Sequence, residues 1–333
     1  VTRQDPDRID SRRRSWLAGA LAARLRLPAV VAAGASAIGH AADPKKLRIG
    51  YQKSSTLTIW LKSRGVLDKA LAPLNVTPEW HEFASGLPLL EALNVGGLDL
   101  TADVADAVPP FALAAGAQMT YYASEAPSPT AQAIVVQNHS QIRTVAQLKG
   151  KKVAFAKGAG AHYLLLAALR SVGLSITDIE PAFLSPADGR GAFENGSIAA
   201  WVIWDPFLAA VQEQSGARVL QDGQGLAAYR RFYLAATPFA KRRGDVLAAV
   251  FSELRSAGAW IKNNPAEAAQ WYGPVIGLDA GTVALANGRR SYAVQAVDDA
   301  ALAEQQTIAD AFSAAGVIPR PVVVAQAPVW HPG

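Results

Sequence analysis

The sequence predicts an α/β protein of two lobes, each a central β-sheet flanked by helices, with a helical segment at the C-terminal end. Three observations carry that expectation. Short apolar runs alternate with runs of helical pattern from residue 47 to about 236, the mark of strands joined by helices. Two units of one type, a strand leading through small residues into a helix, lie at 47–64 and 153–170, with a further strand–helix series between them. After Pro238 the strand-like runs stop, and helical stretches follow at 245–262, 265–272, 279–287 and 298–315 with no clear strand between them.

In order, residues 47–51 form a short apolar strand, and Ser54, Ser55 and Thr56 offer caps to a helix through Leu57, Ile59, Trp60 and Leu61. A second helical stretch (66–71) precedes an alternating strand at 76–83, the small loop Ala84-Ser85-Gly86 and a helix at 87–93 that Gly96-Gly97 breaks. A strand at 98–102 leads through a loop at 103–106 to a helix at 109–115, where Pro109 suits a first turn. Strands at 119–123 and 131–136 flank a Pro-rich loop, and the second lobe begins with the latter. A short helix is expected at 144–150, then the strand from Val153, the Lys157-Gly158-Ala159-Gly160 turn and a helix to about Gly173. Further strands fall at 180–184, 200–204, 218–220 and 231–236, with helices from Ser185 to Gly196 and from Asp205 to Gly216 between them.

The formal net charge of +5 arises largely from the first 42 residues, which hold seven Arg and three Asp; the remainder has 25 basic and 24 acidic residues, or +1. The remainder therefore gives no case for nucleic-acid binding. Residues 1–42 read as an export signal that is cleaved: Arg12, Arg13 and Arg14 form the positive end, 27–42 is apolar or small apart from His40, and Arg13 to Leu17 resembles a twin-arginine motif. No later run approaches the ~20 apolar residues of a spanning helix. The absence of cysteine removes disulfides, thiolate metal sites, Cys nucleophiles and a lipoprotein anchor. The expected location is the periplasm, without a lipid anchor.

Nothing in the sequence favours catalysis. The four histidines beyond residue 42 (81, 139, 162 and 331) lack metal-ligand spacing, and there is no nucleophile elbow or phosphate loop. No metal and no cofactor is expected, and composition alone leaves enzyme against binding protein open. Binding has firmer candidates. The first turn of a helix leaves N–H groups unpaired at the positive end of its dipole, and small residues let a ligand approach them. Gly158, Ala159, Gly160, Ala161 and His162 therefore mark an anion site. Gln52, Ser54 and Ser55 offer donors after the first strand, with helix capping as the competing role of the serines, and Ser85-Gly86 repeats the pattern. Asp103 and Asp106 would repel an anion and are expected to hold a loop or pair with a basic group. Trp201 and Trp204 face opposite sides of one strand, so one can line a cleft while the other packs; Trp60 is a further aromatic candidate. Asp188 lies at a helix start, with Arg190 one turn in reach of an anion or of the other lobe.

At these residues the chain resembles the periplasmic aliphatic sulfonate-binding proteins of ABC importers, the SsuA branch of the sulfonate/nitrate/taurine group. The matching blocks include Leu47 to Ser55, Leu90 to Gly96, Val145 to Phe155, Lys157-Gly158 with His162, Pro186-Ala187-Asp188, Trp201 to Pro206 and Arg218 to Gly223. The resemblance implies a type II periplasmic-binding-protein fold with two crossover strands, a first lobe of 43–130 plus 237–333, and a second of 131–236 that includes the crossovers. It also implies a small organic sulfonate held between the lobes by the residues named above, an inner-membrane permease as partner, and a monomer that is not an enzyme. Ala159-Gly160-Ala161 departs from the family, which commonly has serines there; hydroxyl donors are lost while backbone donors remain. Taurine, nitrate or another oxyanion is the alternative ligand, and an enzyme on the same fold is the alternative class.

Overall fold

The computed structural model describes residues 45–333, so the export signal read at 1–42 lies outside the described residues. In chain order the elements are β1 (Lys45–Gln52), α1 (Thr56–Ser63), α2 (Val66–Leu71), β2 (Val76–Phe83), α3 (Gly86–Asn94), β3 (Leu100–Thr101), β4 (Val104–Ala105), α4 (Val108–Ala114) and β5 (Met119–Glu125). They continue with β6 (Gln132–Val136), β7 (Lys152–Phe155), α5 (Gly160–Ser171), β8 (Glu180–Phe183), α6 (Pro186–Glu194), β9 (Ala200–Trp204), α7 (Phe207–Ser215) and β10 (Arg218–Asp222). The last are β11 (Arg231–Ala236), α8 (Thr237–Arg242), α9 (Gly244–Asn263), α10 (Pro265–Ile276), α11 (Ala280–Arg289), β12 (Val294–Gln295) and α12 (Asp299–Ala314).

Two mixed sheets organise these elements. The first runs β12-β5-β11-β3-β1-β2, with β4 paired to β11; the second runs β10-β6-β9-β7-β8. β1 is parallel to β2 and β3, and β7 to β8 and β9, because helices return the chain between them. The chain crosses between sheets twice, from β5 to β6 and from β10 to β11. Helices cover both faces of the first sheet. Leu57 and Leu61 of α1 pack with Val250 and Leu254 of α9 on one side, and Leu89, Leu93 and Val108 pack with Phe232 and Leu234 on the other. In the second sheet β6 and β9 are buried along their whole length, and they read as near-continuous apolar runs for that reason.

Three details differ from the sequence expectations. A two-residue strand, β12, does interrupt the helical tail, pairing Val294 and Gln295 with Glu125 and Ser124 at the edge of the first sheet. The helix expected at 144–150 is a 3-10 turn over Val145–Leu148, held by a capping box between Thr144 and Gln147. Residues 231–236, grouped with the second lobe as a crossover, pair in the first sheet with β3, β4 and β5. The helix after 265 runs on through Pro274 and stops at Gly277, whose φ of 74° is left-handed. Among the described residues no helix is long and apolar enough to cross a membrane.

Candidate functional site: a cleft of helix starts

The residues following strands gather between the two sheets. The first sheet's lobe contributes Gln52, Ser54, Gly86, Ala105 and Val108 to a small cavity; Ala159, Gly160 and Trp204 face it from the second, and Tyr229 and Arg231 from the returning crossover. Gly86 and Gly160 open α3 and α5, and Ser54 lies just ahead of α1. Three helix dipoles therefore place their positive ends here. The cavity holds about 20 Å³, room for roughly one water-sized particle. An organic ligand enters only if the lobes part.

Local bonding shows which donors remain. The Gln52 N–H donates to Ser55 Oγ at 3.1 Å, and Gln52 Nε2 to the Asp103 carbonyl at 3.0 Å. Ser55 is thus a turn lock, while Ser54 lines the cavity. In the second lobe the Gly158 N–H donates to His162 Nδ1 at 3.3 Å, and the His162 N–H to the Ala159 carbonyl. The N–H groups of Gly160 and Ala161 have no carbonyl one turn back. Gly158 has a left-handed φ of 73°, and a Cβ there would stand 3.3 Å from Leu87 and 3.4 Å from Phe111 of the opposite lobe. At Gly160 a Cβ would come within 2.6 Å of the Tyr229 ring, so only glycine lets the helix start approach that ring.

Beneath the cavity lies a buried charge network. Arg231 Nη1 is 2.6 Å and Arg290 Nη2 3.0 Å from Asp103 Oδ2. Arg290 also bonds Glu125, with its Nε 2.9 Å from Oε2, and donates to the Ser54 carbonyl at 2.8 Å. Tyr233 donates to Glu125 at 2.6 Å. Two guanidiniums and two carboxylates balance, as a desolvated cluster requires. Burial and the neighbouring Arg290 charge oppose the Arg231 charge, but Tyr229 and the Asp103 and Glu125 carboxylates outweigh them and its pKa is raised. Arg231 Nε and both amide atoms of Gln132 are buried without a partner among the described residues. Gln132 has 0% exposure and lies 3.1 Å from the position a Gly160 Cβ would take, so its amide is set against the cleft.

Other expected site residues do not line this cavity. Trp60 stacks on Trp260 with ring centroids 3.9 Å apart and meets Trp271 edge-on, in the helical layer of the first lobe. The Asp188 N–H donates to Ser185 Oγ at 3.2 Å, so the residue that caps α6 is Ser185; Arg190 bonds Glu194 at 2.9 Å and Gln214 at 2.6 Å. Asp188 is exposed and Arg190 half-buried on α6. Ser85 is half-buried at the head of α3, and Ala161 is wholly buried in the second core. His162 packs among Phe155, Phe312 and Phe111; burial, assisted by the Lys157 charge, lowers its pKa to about 4, so it is neutral at pH 7. Trp204 lines the cavity while Trp201 packs on Phe193, the division that strand alternation requires. Asp103 pairs with arginines, and Asp106 accepts from the Arg230 N–H at 3.0 Å behind the cavity. Gln132, Tyr229 and Arg231 were not anticipated, although Gln132 is the one polar residue in the 132–136 run.

An ion pair also ties the lobes together outside the cavity, beside the packing of His162 on Phe111 and Phe312. Arg289 of α11 places Nη1 3.1 Å from Asp205 Oδ1 and donates through Nη2 to Gln212 of α7 at 2.6 Å. Burial raises the Asp205 pKa to about 6 despite the opposing pull of Arg289.

The model of the NMT1/THI5-like family matches residues 90–268. An aliphatic sulfonates-binding protein of Escherichia coli (strain K12) is 39% identical over 310 residues, 93% of this chain and 96% of that protein. The chain belongs to the family of aliphatic sulfonate-binding proteins. A second member of that family, from Bacillus subtilis (strain 168), is 32% identical over 74% of this chain and 75% of its own length. The alkanesulfonate-binding protein SsuA from Xanthomonas axonopodis pv. citri, whose structure was solved bound to MOPS, superposes with a TM-score of 0.81 at 39% identity, covering 87% of this chain and 99% of that one. The periplasmic SsuA of Escherichia coli superposes at 0.79 with 41% identity, covering 87% and 93%. The desulfurization enzyme DSZB shares the fold alone, at a TM-score of 0.61 and 16% identity. The resemblance read from the sequence and its two-lobed α/β fold are therefore confirmed.

Proposed function

We propose that the protein is the periplasmic solute-binding component of an ABC importer, taking an aliphatic or other organic sulfonate between its lobes and delivering it to an inner-membrane permease. The observation that carries this reading is the cavity itself: the starts of α1, α3 and α5 meet there, with unpartnered donors on Gln132 and Arg231 beside them. A sulfonate presents three charged oxygens to such donors. Each helix end contributes roughly 0.3–1 kcal/mol, and each charge-assisted hydrogen bond about 1.5–3 kcal/mol. A few together support micromolar binding, about −8 kcal/mol. Trp204 supplies a face for the carbon chain. Closure moves residues 131–230 against 43–130 plus 231–333, and the closed form is what the permease reads.

The lining argues against chemistry. Among the described residues its only ionisable side chains are Arg231 and Tyr229; the pKa of the first is raised, and burial holds the phenol of the second above its usual range. Neither exchanges a proton near pH 7, so the cleft has no general acid or base. The protein acts as a monomer without cofactor, and the two ionisable groups of the lining leave sulfonate binding flat between pH 7.5 and 9, above the range in which Asp205 of the Arg289 tie takes up a proton. Calorimetry on the protein from residue 43 with butanesulfonate, taurine and nitrate tests the reading. Micromolar heat with butanesulfonate supports it. No heat with either sulfonate, beside tight binding of nitrate, overturns it.

A further inference from the structure

A second concavity, of about 380 Å³, lies at the two crossings between the sheets. Pro129 from the first crossing and Gly223, Leu226 and Ala228 from the second wall it, while α12 and Tyr163 of α5 close the sides. The crossings are tightly joined, the Gly223 N–H donating to the Pro129 carbonyl at 3.0 Å. Ala228 lines this groove and Tyr229, next along the chain, lines the sulfonate cleft. Asp106 lines it with 3% exposure; its Oδ2 accepts from the Arg230 N–H, and its Oδ1 has no partner among the described residues. Glu304 stands at the rim, bonded to Arg230 at 2.6 Å.

We infer that this groove is a binding site for an organic ammonium, a primary or secondary amine with a small apolar body. The unpartnered Asp106 oxygen takes the charged N–H, and Leu226, Ile308 and Pro129 take the carbon chain. An anion is disfavoured because both carboxyl groups face it. A metal ion is disfavoured because Glu304 is already paired and the remaining walls are largely apolar; among the described residues no group of three metal-binding side chains exists. The charged groups around Asp106 are Glu304, Arg230 and Arg231, with the phenols of Tyr163 and Tyr229 nearby. Burial raises the Asp106 pKa to about 7, so an arriving ammonium displaces a proton below that pH. The site touches both crossings, so its occupancy bears on the lobe movement, and by linkage any change it makes in sulfonate affinity is reciprocated.

The test is titration of the protein with n-butylammonium chloride by calorimetry, with equal sodium chloride as control. Saturable binding is expected at pH 8, at least tenfold weaker at pH 5.5 and at least tenfold weaker in Asp106→Asn, which keeps an acceptor for the Arg230 N–H. Thr307→Lys, at an exposed position on the groove, supplies a tethered ammonium and is expected to abolish probe binding even if the first variant fails to fold. Absence of saturation at pH 8, or unchanged affinity in both variants, overturns the inference. Butanesulfonate is titrated separately into the same preparation: loss of one binding event without the other shows which of the two readings has failed.

Discussion

Replacing Gln132 with methionine sets stability and affinity against each other. The amide is fully buried, and neither its oxygen nor its nitrogen has a partner among the described residues. Each buried polar group left unpaired costs about 1–3 kcal/mol. Gln132→Met keeps the length of the side chain and removes both groups, so the ligand-free protein gains about 2–6 kcal/mol, read as a higher urea midpoint at an unchanged slope. The same substitution deletes a donor to the sulfonate, worth about 1.5–3 kcal/mol. Affinity for butanesulfonate therefore falls roughly 10- to 100-fold by calorimetry. A variant that is less stable without ligand and binds with unchanged affinity would refute the reasoning, because the amide would then serve the fold and not the ligand.

Three further outcomes are expected. Asp106→Asn stabilises the ligand-free protein at pH 8 by about 2–4 kcal/mol and has no such effect near pH 4: the folded pKa of about 7 lies above the unfolded value, so the wild type loses stability as pH rises towards 7 and the variant does not. Urea denaturation at the two pH values reads the difference. Arg289→Met, which leaves the cavity lining intact but breaks the bonds to Asp205 and Gln212, lowers the closed population and weakens butanesulfonate roughly 3- to 10-fold; calorimetry showing no change would mean that these bonds do not bias closure. Trp60→Leu lowers stability by about 2–4 kcal/mol through loss of the Trp260 and Trp271 contacts, while the sulfonate Kd stays within twofold.

The strand–loop–helix units were legible because their signals are local: an apolar run, small residues, then a helical period. Gln52, Ser54, Gly86, Ala159 and Gly160 all lie at such junctions, and all line the cavity. Trp204 was legible as one of two alternatives, since strand alternation sends Trp201 the other way. Arg231 was not, because its role depends on a carboxylate 128 positions away in sequence. His162 misled for a related reason: its place one helical turn after Gly158 marks a helix start, but the aromatic rings that enclose it come from α4, β7 and α12. Trp60 belonged to the same blind spot, since Trp260, which buries its face, lies in the helical tail. The glycines also combine two roles that spacing cannot separate. Gly158 is required by its backbone angle and Gly160 by the Tyr229 ring, so substitution at either strains the ligand-free protein as well as the site.

Ala159 and Ala161 carry no hydroxyls, and yet the start of α5 still reaches the cleft. Main-chain donors are outside the reach of most point mutations, since only proline removes an N–H. A chain that grips the head group this way can drift at the flanking side chains without forfeiting capture. The changes that accumulate there then alter which tails are admitted, and successive generations can retune the diet of one transporter while its hold on the shared oxyanion is inherited intact.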